Sequence, residues 1–246
     1  MTIVYLYTAL CTVGGADRSI IQKANYLADE MHQDVFIITD SQKKRPPVFP
    51  ISPRIRHIDI AIDFDRQYHH NLLVRGYYYF TLMYLYRKKL EYWLKTLKPD
   101  IVISTLGREL DFLTQLDDGS VKIGESHIAK PYTRNLHLME QRGFPYKQIA
   151  RYWRKKQEEA VKKLDALVVL TQHDADNWKE VKKACVIPNF LPFSPQKGSS
   201  CLEKRIISIG RYSEQKGYDR LIEAWIKVNR KLSLIHISEP TRLLSI

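Results

Sequence analysis

Residues 206–228, with the sequence IISIGRYSEQKGYDRLIEAWIKV, follow the pattern of a strand, a polar loop and a helix. Ile206, Ile207 and Ile209 are β-branched and are closed by a glycine, which favours a short buried strand. After the loop, apolar residues recur at helical spacing over 221–228 and predict a helix that packs on a sheet. A strand that leads into a helix in this way is the first unit of a parallel-sheet domain.

The loop of this unit contains two cations, Arg211 and Lys216, at the carboxyl end of the predicted strand. Open α/β sheets bind ligands at that end of their strands. A guanidinium and an ammonium directed into one crevice suit a diphosphate. From spacing alone, the simpler interpretation is that both are solvated loop charges.

The order of residues around these cations carries a family resemblance. Gly210 and Arg211, followed by QKGYDRLIEAW at residues 215–225, closely resemble the segment that opens the second domain of family 4 glycosyltransferases of the GT-B type. The resemblance implies that Arg211 and Lys216 bind the diphosphate of a nucleotide-sugar donor. It also implies the α/β fold class: a Rossmann-like parallel-sheet N-terminal domain of a GT-B glycosyltransferase, plus the first βα unit of a second domain.

A glycine loop near the start of the chain has a related pattern. A predicted strand at residues 3–7 and apolar residues at helical spacing over 20–31 enclose Gly14 and Gly15. Free amides at a helix N-terminus and a glycine pair would let a ligand approach the backbone, although a tight turn also needs glycine on steric grounds. The loop resembles the Gly-Gly-Ala-Glu-Arg loop of the same family, with Asp17 in place of the usual glutamate. The resemblance implies that this loop faces the donor phosphates and the acceptor.

An acid and a histidine follow the strand predicted at residues 121–124. Glu125 and His127 lie just past its carboxyl end, where sites of parallel sheets are built. His127 could contact the acceptor or assist proton transfer and Glu125 could orient it, which makes them the candidate catalytic residues. The alternative is a hydrogen-bonded loop histidine beside an acid. Histidines and cysteines lack metal-ligand spacing, so no metal site is predicted.

Further apolar runs predict the remaining strands and helices. Strands are expected at residues 34–39, 56–60, 100–104 and 166–170, and long helices at 68–97 and 149–164. Thr171 is expected to cap a short helix that has Asp174 at its third position. Residues 43–53, with four prolines, are expected to form a loop.

The predicted helix at residues 68–97 is rich in both tyrosine and basic residues. The simpler interpretation is an amphipathic helix that covers the sheet. A second interpretation is a basic, aromatic element that makes peripheral contact with an anionic membrane. Both can hold at once.

The resemblance implies the domain plan, and composition marks the linker. An N-terminal Rossmann-like, acceptor-side domain is expected over residues 1–189, followed by a linker rich in proline, glycine and serine over 190–204. Residues 205–231 are expected to start a truncated nucleotide-sugar-binding domain. Residues 232–246 are a predicted non-native tail, because LSLIHISEPTR at 232–242 resembles translated sequencing-adapter sequence. The native protein is therefore expected to continue beyond residue 231.

The chain of 246 residues has a formal net charge of +12, which suits nucleic acid, an anionic membrane or acidic substrates. The basic residues are scattered and show no zinc-finger or RNA-binding signature, so no nucleic-acid partner is expected. The three cysteines are widely spaced and are expected to be reduced. The chain starts directly with a strand and has no long apolar run, so a cytoplasmic location is expected.

Together, these features and the resemblance predict a glycosyltransferase fragment. The complete enzyme would transfer a sugar from a nucleotide-sugar to a glycan or lipid-linked acceptor, with retention and without a cofactor, in bacterial surface polysaccharide synthesis. The fragment itself is expected to be inactive. One alternative is a non-catalytic basic α/β module that binds anionic membrane or nucleic acid. A phosphorylase or an epimerase with the same two-domain plan is another, although no Gly-x-Gly-x-x-Gly fingerprint is present.

Overall fold

A computed structural model of the chain describes residues 1–69, 72–178, 181–191, 198, 202, 208, 210 and 216–228. The chain divides into two compact units, Met1–Phe190 and Leu191–Ile246. The strands of the first unit are β1 (Thr2–Tyr7), β2 (Asp34–Thr39), β3 (Arg56–Asp59), β4 (Ile101–Ser104), β5 (Val121–Glu125), β6 (Ala166–Val169) and β7 (Ala184–Val186). Its helices are α1 (Gly15–Asp29), α2 (Leu72–Leu97), α3 (Leu110–Leu113), α4 (Leu136–Glu140), α5 (Tyr146–Val161) and α6 (Gln172–Asn177), with 3₁₀ helices at Phe64–His69 and Lys130–Asn135. The second unit contains α7 (Tyr218–Val228).

All seven strands described for the first unit pair in parallel, in the order β3-β2-β1-β4-β5-β6-β7. The chain moves outward from β1 on one side, returns through α2, and then moves outward from β4 on the other side. The carboxyl ends of β1 and β4 are therefore adjacent at the point where the strand order reverses. This arrangement confirms the predicted α/β, Rossmann-like parallel sheet.

Helices α2 and α5 cover one face of the sheet. Leu82, Tyr86, Leu90 and Leu94, spaced four residues apart, form the buried stripe of α2 and pack on alternate residues of β1, β2 and β4. A second cluster continues this layer over β6, where the end of α5 and Trp178 pack on inward-facing leucine and valine side chains.

Helix α1 covers the opposite face over β1 and β2. Ile20, Ile21, Ala24 and Ala28 are fully buried against Tyr5 and its neighbours on the sheet. This apolar stripe is the one that the helical spacing predicts, and it fixes the position of the glycine loop above the end of β1.

Most strand and helix predictions agree with the structure to within a few residues. Residues Phe64–His69 form a separate 3₁₀ helix where the prediction has the start of the long helix, α2 begins at Leu72, and α5 begins at Tyr146, a turn earlier than predicted. Thr171 Oγ1 accepts a hydrogen bond from the Asp174 amide at 3.1 Å, which confirms the predicted cap. The strand predicted at residues 206–209 and the tail at 232–246 lie outside the described residues. Within the described ranges, no helix has both the length and the apolar character needed to cross a membrane.

Gly124, the fourth of five residues of β5, offers a test of this packing. A Cβ atom added there would lie 2.7–3.0 Å from methyl groups of Leu164, Leu106 and Leu167, all of them buried. We therefore expect Gly124→Ala to lower the free energy of unfolding by about 1–3 kcal/mol. Gly76→Ala, at a helical glycine with no described atom within 4 Å of the added Cβ, is the control and should raise it by about 0.5–1 kcal/mol. Urea unfolding measures both, and equal shifts would contradict the close packing around Gly124.

Candidate functional site

The loops that follow β1, β4 and β5 meet at one edge of the sheet. Because the strands are parallel, their carboxyl ends all lie on this edge, and the reversal of strand order beside β1 opens a crevice there. Gly14, Gly15, Glu125 and His127 all lie on these loops or at the strand end. The candidate site is built from this edge.

The glycine loop leads directly into α1. Gly14 is the N-cap residue, with extended backbone angles, and no side chain caps the helix. The added Cβ at Gly15 has no atom of the described residues within 4 Å, so the space beside this glycine is open. The first-turn amides of α1 carry the positive end of the helix dipole. The loop is thus shaped to accept an anionic group close to the backbone.

The side chain of Asp17 supports the glycine loop through hydrogen bonds. It is buried, and its Oδ2 atom accepts a hydrogen bond from Thr12 Oγ1 at 2.7 Å, while its Oδ1 atom has no hydrogen-bond partner among the described residues. The Tyr7 hydroxyl also interacts with this carboxylate. Burial raises the pKa of Asp17, while the hydrogen bonds act in the opposite direction. Asp17 stands where the resembled family usually has a glutamate. Its carboxylate therefore holds the glycine loop onto the end of β1.

Glu125 and His127 lie close together, as neighbours of a lysine from α1. The Nζ atom of Lys23 bonds to Glu125 Oε1, and His127 Nε2 lies 3.5 Å from the same oxygen without hydrogen-bond geometry. The side chains of Glu125 and His127 are only 5% and 7% exposed. The ammonium neutralises the buried carboxylate, so the charge that faces His127 is largely compensated.

His127 is a buried imidazole held in its neutral form. Burial lowers its pKa; the Glu125 carboxylate opposes this effect and the Lys23 ammonium adds to it. Neither ring nitrogen has a hydrogen-bond partner among the described residues. A neutral imidazole donates one hydrogen bond and accepts another, so both capacities are available to a ligand.

The sequence interpretation missed Lys23. This residue lies one turn before Leu27, beside the apolar stripe of α1, where a lysine is unusual. A lysine at the margin of a buried helix face indicates a buried acid opposite to it, because an unpaired charge there would be unfavourable. Only the fold shows that the acid is Glu125, 102 residues away in the chain.

A second network fixes the loops after β4 and β5. Arg134 donates to Asp111 Oδ1 at 2.8 Å and to the Gly107 carbonyl, and Glu109 accepts from Ser104 Oγ at 2.6 Å. The charge-assisted bonds of Arg134 join the loop after β5 to the segment after β4. They hold these two segments together at the carboxyl edge of the sheet.

A cavity of about 510 Å³ lies on the α1 side of the sheet, beneath the edge. Lys23, Glu125 and Gln22 supply polar groups to its wall, while Ile103, Ile123, Val168 and other apolar residues supply most of the rest. The sequence does not predict this cavity. The cavity forms on the same face of the sheet as α1, over the part of that face that α1 does not cover.

The predicted diphosphate cations belong to the second unit. Arg211 lies outside the described residues, and Lys216 is exposed two residues before α7. Gly217, between Lys216 and the helix, has a φ of +63°, a conformation that suits glycine. Among the described side chains, no group of three or more His, Cys, Asp or Glu could hold a metal ion.

The ion pair between Lys23 and Glu125 can be measured directly. Lys23→Met leaves a buried carboxylate unpaired, so we expect the free energy of unfolding to fall by about 3 kcal/mol, the low end for buried pairs because a fifth of the lysine side chain is exposed. Adding Glu125→Gln to this variant should restore most of the loss. Lys95→Met, which breaks an exposed pair with Glu91, is the control and should leave stability nearly unchanged. Additive effects of the Lys23 and Glu125 changes would show that the pair does not couple.

The protonation of His127 gives an independent test. We expect NMR titration to show a pKa below 6.5, and Lys23→Met to raise it by removing a neighbouring cation. Because the folded-state pKa is lowered, stability should fall as pH drops below the unfolded value of about 6.5. His127→Gln should therefore lose less stability between neutral and mildly acidic pH than the parent chain. A titration at or above the ordinary histidine value would contradict the buried, neutral imidazole.

No protein-family model and no curated protein matches the sequence. Solved structures do match it in fold, at low identity. The lipopolysaccharide outer core galactosyltransferase WaaB is 10% identical with a TM-score of 0.59, and the match covers 98% of this chain and 69% of that one. Sucrose-phosphate synthase from Thermosynechococcus elongatus is 12% identical with a TM-score of 0.63, covering 96% and 61%.

A third match is the E. coli trehalose-6-phosphate protein bound with UDP-2-fluoro glucose, 14% identical with a TM-score of 0.55, covering 98% of this chain and 65% of that one. The chain thus spans about two thirds of the length of these proteins. At such identities the likeness concerns the fold alone. The fold is that of GT-B glycosyltransferases, with a Rossmann-like parallel sheet in the N-terminal domain.

Proposed function

We propose that the chain is part of a glycosyltransferase that transfers a sugar from a nucleotide-sugar donor to a glycan or lipid-linked glycan. Residues 1–189 form the acceptor-side domain, 190–204 the linker, and 205–231 the start of the donor domain. Residues 232–246 are a non-native tail. In this proposal the complete enzyme belongs to family 4, acts with retention, and serves bacterial surface polysaccharide synthesis.

The observation that carries the proposal is the pairing of an open glycine loop with an unpartnered, neutral histidine at one edge of a GT-B sheet. One structural neighbour is bound with UDP-2-fluoro glucose, and another is a galactosyltransferase. An anionic donor and a hydroxyl-rich sugar are the ligands that these two features accept best.

Each residue has a role in the proposed transfer. The leaving diphosphate gains charge in the transition state, and the α1 amides at Gly14 and Gly15 would stabilise it together with Arg211 and Lys216. His127 would hydrogen-bond a sugar hydroxyl and orient it for reaction. Glu125 would orient His127 through the 3.5 Å contact of its Oε1 atom with Nε2, which lacks hydrogen-bond geometry in this structure, and its own charge is compensated by Lys23. This set of donors needs no metal ion.

The alternative function, a non-catalytic basic module, is less well supported, because the structural neighbours named above include enzymes that act on sugars. The two functions differ in one observable. A transferase releases nucleoside diphosphate from a nucleotide-sugar in the presence of an acceptor, and a binding module does not. We expect that release from a protein extended through a complete second domain, and none from the 246-residue chain.

Within the extended enzyme, Lys216 provides the sharpest test of the donor site. A charge-assisted contact contributes about 1.5–3 kcal/mol, so Lys216→Ala should lower kcat/KM for the donor about tenfold to a hundredfold. Arg211→Lys should also be damaging, because the planar fork is lost although the charge remains. Lys227→Ala, at an exposed lysine in the last turn of α7, is the matched control and should leave kcat/KM unchanged.

The unfolding midpoint separates a site role from a structural one. Lys216 is exposed, so its replacement should not shift the midpoint. If Lys216→Ala and Lys227→Ala lowered kcat/KM equally, or if Lys216→Ala unfolded the protein at unchanged activity of the folded fraction, the assignment of the diphosphate site would be wrong.

A further inference from the structure

Helix α2 has aromatic residues on the side that faces away from the sheet. Tyr77, Phe80 and Tyr84 follow one another at helical spacing and are between 61% and 72% exposed. The buried stripe of Leu82 to Leu94 lies on the opposite side of the helix, so α2 is apolar on both sides. A single exposed apolar residue is ordinary on a protein surface, but a row of large ones marks an interaction site.

The aromatic row continues onto α5. The Tyr79 ring contacts the Trp153 ring edge to face, with centroids 5.4 Å apart, so the two helices lie side by side here. Tyr152, next to Trp153, is exposed, and Phe144, just before α5, is one of the most exposed apolar residues described. We refer to Tyr77, Phe80, Tyr84, Phe144 and Tyr152 as the aromatic surface.

The same two helical segments concentrate positive charge. Residues 72–90 contain four basic and no acidic residues, and residues 141–157 contain six basic and no acidic residues. These ten cations contribute much of the net charge of +12, although Arg154 pairs with Glu140 and Lys156 lies 3.8 Å from Asp111, both outside these segments. Arg151 and Lys155, one turn apart on α5, are exposed beside Tyr152. The partner that complements this surface is therefore anionic.

The aromatic surface lies close to the candidate site. Helices α2 and α5 both begin on the side of the sheet where β3 and β5 end, which is the carboxyl edge. The Tyr79 hydroxyl donates to Asp111 Oδ2 at 3.2 Å, and the other oxygen of Asp111 binds Arg134, which also holds the Gly107 carbonyl in the loop after β4. One chain of hydrogen bonds thus links the base of the surface to the loops of the edge.

We propose that α2 and the start of α5 dock on the surface of an anionic lipid bilayer. Tyrosine and phenylalanine side chains on a convex helix face enter the headgroup region, and the lysine and arginine side chains around them meet lipid phosphates. A nucleic acid would instead require a charged groove with stacking platforms, whereas these rings stand along the outside of a helix. The inference rests on the surface alone and is independent of the proposed transfer reaction.

Vesicle sedimentation of the 246-residue chain tests the electrostatic part. We expect binding to vesicles of phosphatidylglycerol and phosphatidylcholine, weaker binding as sodium chloride increases, and little binding to phosphatidylcholine alone. Reversing Arg151 and Lys155 to glutamate should weaken binding by about tenfold or more. The matched control reverses Lys182 and Lys183, exposed residues beside β7, with the same change in net charge and a much smaller effect.

A tryptophan probe tests insertion of the aromatic surface. The emission of Phe80→Trp, compared with the parent chain, should shift to shorter wavelength on vesicle binding and be quenched by brominated lipid. Replacing Tyr77 and Tyr84 with serine should weaken binding, while Tyr26→Ser, at an exposed tyrosine of α1 on the other side of the sheet, should not. Circular dichroism and the unfolding midpoint confirm that each variant is folded.

Three results would overturn the proposal. These are no binding to anionic vesicles, equal losses from the α5 and β7 charge reversals, or unchanged Phe80→Trp emission on bound vesicles. Binding of a single-stranded oligonucleotide without binding of vesicles would identify the surface as a nucleic-acid site instead. Vesicle binding without any transferase activity in the extended protein would leave this inference intact and remove the proposed function.

Discussion

Parallel pairing of β1 with both β2 and β4 is the constraint on which the rest of the first unit depends. It places β1 in the interior of the sheet between β2 and β4, requires α2 to carry the chain back across one face, and brings the carboxyl end of every described strand to one edge. The glycine loop after β1 and the Glu125 end of β5 belong to the same edge for this reason. No local sequence feature places them together, and the crevice between them follows from the strand order.

The buried polar residues at this edge are of two kinds: some hold the loops in place, and others remain available to a ligand. Asp17 and Glu125 are buried and have partners in Thr12 and Lys23, so their charges or hydrogen bonds hold the loops in place. His127 is buried to the same degree but has no partner for either ring nitrogen. A buried polar group without a partner is unfavourable unless a ligand or water completes it. Asp17 Oδ1 is also without a partner, but the other oxygen of Asp17 is bonded to Thr12, whereas neither ring nitrogen of His127 is bonded to a described residue. That difference is the physical reason to regard His127 as the residue that meets a ligand.

The sequence predicts the parts of the structure that depend on neighbours in the chain. Hydrophobic periodicity placed α1 and most strands, and Thr171 was sufficient to place the start of α6. Lys23 and Arg134 were missed because their partners are distant in sequence and become neighbours only in the folded sheet. The 3₁₀ helix at Lys130–Asn135 was also missed, since Arg134 and Asn135 adopt left-handed backbone angles that the tertiary contacts of Arg134 stabilise. The roles of Arg211 and Lys216 stay predictions drawn from a resemblance.

The two sides of helix α2 suit two different environments: the hydrophobic core on one side and the proposed bilayer surface on the other. A helix that only covered a sheet would be apolar on one side and polar on the other, but the outward side of α2 has tyrosine and phenylalanine where charged residues are expected. Leu90 and the rest of the buried stripe already account for its folding, so selection for stability leaves Tyr77, Phe80 and Tyr84 unexplained. They lie in the first half of the helix, which begins at the sheet edge that also carries His127. We therefore attribute their exposure to the proposed docking and not to folding. Under the two proposals together, an acceptor held in a bilayer would approach the carboxyl edge of the sheet, where His127 lies and where α2 begins.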